Sequence, residues 1–279
     1  MKKLLFLMLL PLLAACASVE RLALPAPEVL PGQSLTRFAS APGQQVDHRD
    51  WTAFLSRYVA PDAQGVNRVA YGQVTPADQA RLDGYLADLQ TVDPTRLTRD
   101  QQLAYWINLY NAVTVDVILE NYPVTSIRAI KDGPLSIGPW NRQLVQVAGE
   151  TLTLNDIEHR IIRPTFDEPR IHYALNCAAV GCPNLMDRAW QAGTLERDFA
   201  AAERAYVNDP RGVRFDDRGG LILSKIYIWF QEDFGPNEQA VLDYLQTAAD
   251  PELRARLQST ARVKAYKYSW VLNDAAAAF

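Results

Sequence analysis

Apolar residues recur at helical spacing along most of the chain, interrupted by short polar breaks. Trp51, Phe54, Leu55, Tyr58 and Val59 make the first such run. Thr75-Pro76 supplies an N-cap and a first-turn proline for a second helix, with apolar face Leu82, Tyr85, Leu86 and Leu89. Thr98, followed three residues later by Gln101, is a capping box. It opens the longest predicted helix, Arg99 to Glu120, whose stripe Leu103, Trp106, Ile107, Tyr110, Thr114 and Val117 faces the core. Thr153 opens a short helix carrying Ile157 and Ile161 that Pro164 stops. Thr194 opens another, with Leu195, Phe199, Ala202 and Tyr206, and Asn237 and Asp250-Pro251 open two more. Strand signals are fewer: residues 144–147, 170–175 and 263–266, and a hairpin of 213–215 with 221–223 around Asp216-Asp217-Arg218-Gly219-Gly220. The pattern predicts an α+β fold, a mostly helical single domain around a small antiparallel sheet.

The N-terminus departs from this pattern. Lys2 and Lys3 precede an apolar run from Leu4 to Leu13, then Ala14, Ala15 and Cys16. A charged start, a short apolar core and small residues before the cut make a secretory signal. The run is shorter than the roughly 20 residues of a membrane-spanning helix. Leu13-Ala14-Ala15-Cys16 resembles the lipobox of bacterial lipoproteins, which implies cleavage before Cys16, lipid on its thiol and acylation of the new amine. Several acyl chains would hold the chain stably on a membrane where one would not. Ala17, rather than Asp, after the Cys resembles the outer-membrane sorting pattern, so the expected address is the cell envelope, at the outer membrane facing the periplasm. The expected organisation is a signal peptide over 1–15, a lipidated Cys16 with a Pro-rich tether over 16–45 (Pro25, Pro27, Pro31, Pro42), and one globular domain over 46–279. Without Lys2 and Lys3, 26 basic side chains face 32 acidic ones, a net charge of -6. That balance argues against a nucleic-acid partner. The expected partners are the membrane, through Cys16, and a small-molecule or peptide substrate.

Candidate chemistry gathers in one stretch. The chain has three His and three Cys, and His159, His172, Cys177 and Cys182 fall close together. The thiolate is the reactive form of Cys, and a nucleophilic Cys needs a base in reach and an orienting group beyond it. His159 and His172 are candidate bases. Glu158, Asn108, Asn111 and Asn176 are candidate orienters or oxyanion donors. Glu158 and His159 are adjacent on a helix, about 100° apart, and poor partners for each other. On a strand over 170–175, His172 and Cys177 would fall on opposite faces, so His172 reaches the thiol only if the chain turns. Two other readings compete. Export permits a Cys177–Cys182 disulfide, since two thiols remain once Cys16 is lipidated; Cys182 could equally be a resolving thiol for Cys177. The four side chains also have the ligand types of a zinc site, but His-x4-Cys-x4-Cys matches no standard zinc spacing, and no metal is expected. Asn108 and Asn111 share a helix face and either line a site or bond loop backbone. His48 has no visible partner. With no phosphate loop, no metalloprotease His-Glu-x-x-His and no Gly-x-Ser-x-Gly elbow, no cofactor is expected.

Five segments, in order, resemble the bacterial and plant family called domain of unknown function 547. They are LAYWINLYNAVT from Leu103, LTLNDIEHRIIR from Leu152, RIHYALNCAAVGCPNL from Arg170, LSKIYIWFQEDFG from Leu223 and YSWVLN from Tyr268. The resemblance spans most of Trp51 to Asn273. It departs at Ser269, where the family tends to have Asp before the Trp. It implies a core similar to papain-like and transglutaminase-like hydrolases in a circularly permuted order, with a Cys at a helix start and a His on a sheet. The expected activity is that of a cysteine-dependent hydrolase or acyl transferase acting on amide, peptide or thiol-containing substrates. The alternative is a non-catalytic envelope binding or scaffold lipoprotein stapled by Cys177 and Cys182.

Overall fold

The computed structural model describes residues 27–28, 35–131, 133, 136–260 and 262–276. The signal peptide over 1–15, Cys16 and most of the tether lie outside them. The fold is α+β and mostly helical, and its contacts gather in two compact units, one built from 26–207 with the C-terminal segment after 268, the other from 208–268.

In the first unit, helix α1 (Arg49–Tyr58) buries Trp51, Phe54, Leu55 and Tyr58. Strands β1 (Val59–Pro61) and β2 (Asn67–Val69) pair antiparallel behind it. Helix α2 (Pro76–Gln90) starts as its sequence dictates: Thr75 Oγ1 accepts the Asp78 N–H at 3.2 Å, and Pro76 fills the first turn. Helix α3 (Arg99–Glu120) opens on the Thr98–Gln101 capping box. The expected one-sided stripe understates this helix. Every residue from Gln102 to Val115 is buried, as are Val117 and Ile118, so α3 is the central rod on which α2, the helix over 156–162 and the 3-10 turn over 192–194 pack. The end of the tether also reaches this rod. Leu35 is 1% exposed, Ala39 N–H bonds Leu97 O at 2.8 Å, and Gln102 Nε2 bonds Arg37 O at 2.8 Å.

Strands β3 (Val145–Val147) and β4 (Glu150–Leu152) form a tight hairpin. Its two turn residues, Ala148 (φ 50°) and Gly149 (φ 85°), take the left-handed conformation that matches strand twist. Thr153 caps the next helix, in keeping with its sequence, with Oγ1 accepting the Asp156 N–H at 3.0 Å. This helix, Asp156–Ile162, is a π-helix: the Arg163 N–H bonds Glu158 O, five residues back. Pro164 does not end the helical path. It sits in the first turn of α4 (Arg163–Phe166), where a proline lacks no needed donor. The strand expected over 170–175 is instead a 3-10 helix, Pro169–Tyr173. Asp167 turns the chain at φ 46°, Glu168 caps the Arg170 N–H at 3.1 Å, and Pro169 fixes the first turn. An acid before a Pro was the start signal that the β-rich composition of 170–175 hid. Helix α5 (Leu195–Val207) closes this part.

The second unit begins with strands β5 (Val213–Phe215) and β6 (Leu221–Ser224), the expected antiparallel hairpin. Helices α6 (Ile226–Trp229), α7 (Gln231–Phe234), α8 (Glu238–Ala248) and α9 (Pro251–Gln258) come next. Asn237 caps α8 through the Ala240 N–H at 3.0 Å. Strand β7 (Ala265–Lys267) begins two residues later than expected and joins β6 in parallel. The helices between β6 and β7 are the crossover that a parallel pair needs. The single antiparallel sheet of the sequence pattern is thus resolved, among the described residues, into two hairpins and a mixed three-stranded sheet. No described helix is long and apolar enough to cross a membrane.

His48, without a partner in the sequence pattern, has one here. It precedes α1, is buried, and shares a 2.7 Å hydrogen bond with the Tyr85 hydroxyl. Burial pushes its pKa down to about 4 from 6.5. The unfolded chain therefore takes up a proton near pH 6.5 that the folded chain refuses until about pH 4, so stability falls as pH drops through that window. The full effect is about 3 kcal/mol. A His48→Gln variant, which cannot titrate, is expected to lose that part of the acid destabilisation in urea melts at pH 7 and pH 4.5. An unchanged pH dependence would show that His48 is not its source.

Candidate functional site

Two of the sequence candidates, Asn111 and Asn176, hold the loop that starts at Cys177, and the first of them projects from α3. Asn111 satisfies two backbone groups of the approach to that loop. Its Nδ2 donates to Ala174 O at 2.9 Å, and its Oδ1 accepts the Asn176 N–H at 2.8 Å. Asn108, one turn earlier, does the same for Trp190, donating to its carbonyl and accepting its N–H, both at 2.9 Å. These amides bond loop backbone rather than presenting themselves to a ligand. Asn176 is used likewise: Nδ2 donates to Pro183 O and Oδ1 accepts the Ala178 N–H, both at 2.8 Å. That arrangement carries Ala178 into the left-handed region at φ 57°.

The C-terminal segment straps the loop from its other side. Val180 N–H bonds Val271 O at 2.8 Å, Gly181 N–H bonds Ser269 O at 2.9 Å, and Asn273 N–H bonds Ala178 O at 3.0 Å. Ser269, where the family resemblance leads one to expect Asp, contributes its carbonyl here. Tyr206 OH donates to Gly181 O at 2.6 Å. Residues 176–183 are therefore tied on all sides, with Cys177 half-buried among fully buried neighbours.

Both Cys177 and Cys182 are thiols rather than halves of a disulfide. The Cys177 N–H points at Cys182 Sγ, 3.1 Å away. Cys182 is buried, 3% exposed. Two buried tyrosines lie within electrostatic reach of the thiols. Burial raises the Tyr110 hydroxyl well above its ordinary pKa, and Glu158, which it hydrogen-bonds, and Cys177 add to the rise. Tyr71 is raised well above its ordinary value by burial, then by Asp274, Cys182 and Cys177, and its hydroxyl meets Asn273 Oδ1 at 2.9 Å. Both hydroxyls stay protonated at neutral pH and act as donors, not as bases.

The two histidines divide by environment. His159 is buried on the π-helix, and Arg163 Nη1 lies 3.3 Å from its Nδ1. A guanidinium can only donate, so Nδ1 accepts, and the proton of the neutral ring sits on Nε2. That leaves His159 a donor. His172 is buried on the 3-10 helix, and the chain turns after it, with Ala174 and Leu175 N–H both on Ile171 O at 2.9 Å. The opposite-face obstacle that a strand would have imposed between His172 and Cys177 is gone. Glu158, 8% exposed, is placed by the π-helix. A π-helical turn is wider than an α-turn, a rare geometry that recurs at functional sites. The expected Cys at a helix start and His on a sheet are not the local structures found: Cys177 opens a loop. Among the described residues no three His, Cys, Asp or Glu side chains come together as a metal ion would need.

Residues 94–207 match the model of a family described as "Protein of unknown function, DUF547". The match takes in α3, the π-helix, the 3-10 helix, the Cys177 loop and α5, so the site candidates of the first unit all lie inside it. Two of the five resembling segments, from Leu223 and from Tyr268, fall outside the matched residues. No curated protein and no solved structure matches the chain. Tyr110 is the core residue that its place in the stripe predicts, 2% exposed with its hydroxyl on Glu158; Tyr71 and Asn273 were not singled out by the sequence pattern. The visible signal for Asn273 was an amide closing the apolar YSWVLN segment.

Asn111→Ala removes both pins and leaves a buried carbonyl and a buried N–H unsatisfied. The expected cost is about 2–4 kcal/mol by chemical denaturation, with native-state exposure of Cys177 increased. Stability within about 0.5 kcal/mol of the parent chain would place the loop's rigidity elsewhere.

Proposed function

We propose that this chain is a lipid-anchored cell-envelope protein that acts as a cysteine-dependent hydrolase or acyl transferase on amide, peptide or thiol-containing substrates. The observation that carries the reading is the half-buried Cys177 on a fully pinned loop, with the Tyr110–Glu158 pair and a protein-held imidazole in the neighbouring segments. Cys177 is the nucleophile. His172, buried on the 3-10 helix five residues before Cys177, takes the thiol proton. The sulfur attacks the substrate carbonyl carbon and a C–S bond forms. The leaving amine or thiol departs with the proton, and water or an acceptor nucleophile then cleaves the thioester. Tyr110, a donor that cannot ionise near neutrality, orients Glu158. Lipid on Cys16 supplies the membrane tether, and the site uses no cofactor.

Cys177→Ser is the direct test, on a panel of amide, peptide and thioester substrates offered to the parent chain. The expected result is a loss of turnover by about 10³ or more, with the circular dichroism spectrum and melting temperature retained. Retained turnover would remove Cys177 from the chemistry. For the anchor, Cys16→Ser is expected to abolish acyl labelling and move the chain from the membrane to the soluble fraction; acyl label persisting without Cys16 would refute it.

The hydrogen bond from the Cys177 N–H to Cys182 Sγ favours a second reading, a non-catalytic envelope binding or scaffold protein in which the two cysteines serve the structure of the loop. It differs in one consequence. Loss of either Cys would then unfold the chain, whereas the catalytic reading leaves Cys177→Ser folded.

A further inference from the structure

We propose that Cys177 and Cys182 form a reversible dithiol–disulfide pair, a redox modification site that switches the Cys177 nucleophile off; the switching rests on the cysteine chemistry proposed above.

The geometry comes first. Cys182 Sγ lies 3.1 Å from the Cys177 backbone nitrogen. That nitrogen is bonded to the Cα carrying the Cys177 side chain, so the second sulfur lies against the backbone from which the first one branches. The Cys177 N–H holds the second sulfur in place while it waits. A turn makes the approach: Cys182 N–H bonds Ala179 O at 3.0 Å, and Ala178 is left-handed at φ 57°. A disulfide also needs its Cβ atoms within about 4.5 Å, and a loop of four intervening residues folded back on itself allows that.

Exposure gives the pair an order. Cys177 is half-buried and Cys182 is 3% exposed. An incoming disulfide or peroxide meets Cys177 first, and Cys182 then resolves the adduct from inside, the division of labour of an attacking and a resolving thiol. The loop has no need of a covalent staple. Asn111, Asn176, Tyr206 and the strap through Ser269, Val271 and Asn273 already fix it. A bond between these two sulfurs would close a short loop, where the entropic gain of cross-linking is small. Its main consequence would be to remove the attacking sulfur.

With an oxidised low-molecular-weight disulfide as co-reactant, the steps balance. The Cys177 thiolate attacks the reagent disulfide, an S–S bond forms between protein and reagent, and one reagent thiolate leaves. The Cys182 thiolate then attacks the Cys177 sulfur. The intramolecular bond forms, and the second reagent thiolate departs. Two protein thiols are oxidised, two reagent sulfurs are reduced, and the two protons lost by the protein thiols pass to the departing reagent thiolates. A dithiol reductant reverses both steps.

Differential alkylation with peptide mapping of the full chain, equilibrated in oxidised and reduced glutathione mixtures under native conditions, reads the pair directly. The expected result is a cross-linked Cys177–Cys182 peptide that forms with oxidation, returns to two thiols under dithiothreitol, and leaves little Cys177–glutathione adduct. In Cys182→Ser, Cys177 is expected to accumulate as the glutathione adduct. If burial of the new hydroxyl unfolds that variant, as its circular dichroism would reveal, Cys182→Ala replaces it. A parent chain that keeps the Cys177–glutathione adduct as the Cys182 variant does, or whose thiols react only after denaturation, overturns the pair. Activity separates the two proposals. Turnover falling in step with the bridged fraction supports the switch. Turnover abolished by Cys177→Ser in a chain that never bridges overturns the pair and leaves the hydrolase reading standing. A bridge that forms while turnover is unchanged overturns the switch and the role of Cys177 as nucleophile together.

Discussion

The buried amide of Asn111 is the interaction on which the site depends. It projects from a helix enclosed on every side and binds the backbone on both sides of Leu175, just before Cys177. A buried backbone donor or acceptor left without a partner costs about as much as a lost hydrogen bond, so the segment has little freedom to move away. Asn108 repeats the arrangement one turn earlier at Trp190. The loop with the thiols is thus indexed to a helix buried along most of its length, and the chemistry proposed for it rests on that placement.

The helical framework was legible in the sequence because its signals are local. Thr75-Pro76, Thr98 with Gln101, and Asn237 mark starts that the structure reproduces, since a cap and its first turn are decided within four residues. The hairpin around Asp216–Gly220 was readable for the same reason. What depended on distant partners was not. Residues 170–175 are the exception among local signals, since their strand-like composition hid the Asp167, Glu168 and Pro169 that start a 3-10 helix. The parallel addition of β7 depends on a crossover of four helices. The π-helix under Glu158 and His159 has no sequence signature of its own.

The candidate site divides along the same line. Its residue types and its place in the chain were visible in HYALNCAAVGCPNL. Their roles were not. Asn108, Asn111 and Asn176 all serve the backbone, and the groups near the thiols, Tyr110 and Tyr71, come from positions 67 and 106 residues before Cys177. Such long-range assembly is what a single sequence hides, and it is also what brings two tyrosine hydroxyls within electrostatic reach of one half-buried thiol.

The most direct test of the central claim is the native-state alkylation rate of Cys177 at neutral pH under reducing conditions, resolved from Cys182 by peptide mapping. Cys177 is expected to react faster than a cysteine in an unstructured peptide, Cys182 to react only on unfolding, and His172→Ala to slow Cys177 without unfolding the chain. A Cys177 as slow as Cys182, or one indifferent to His172, would contradict the claim that this loop presents an activated nucleophile.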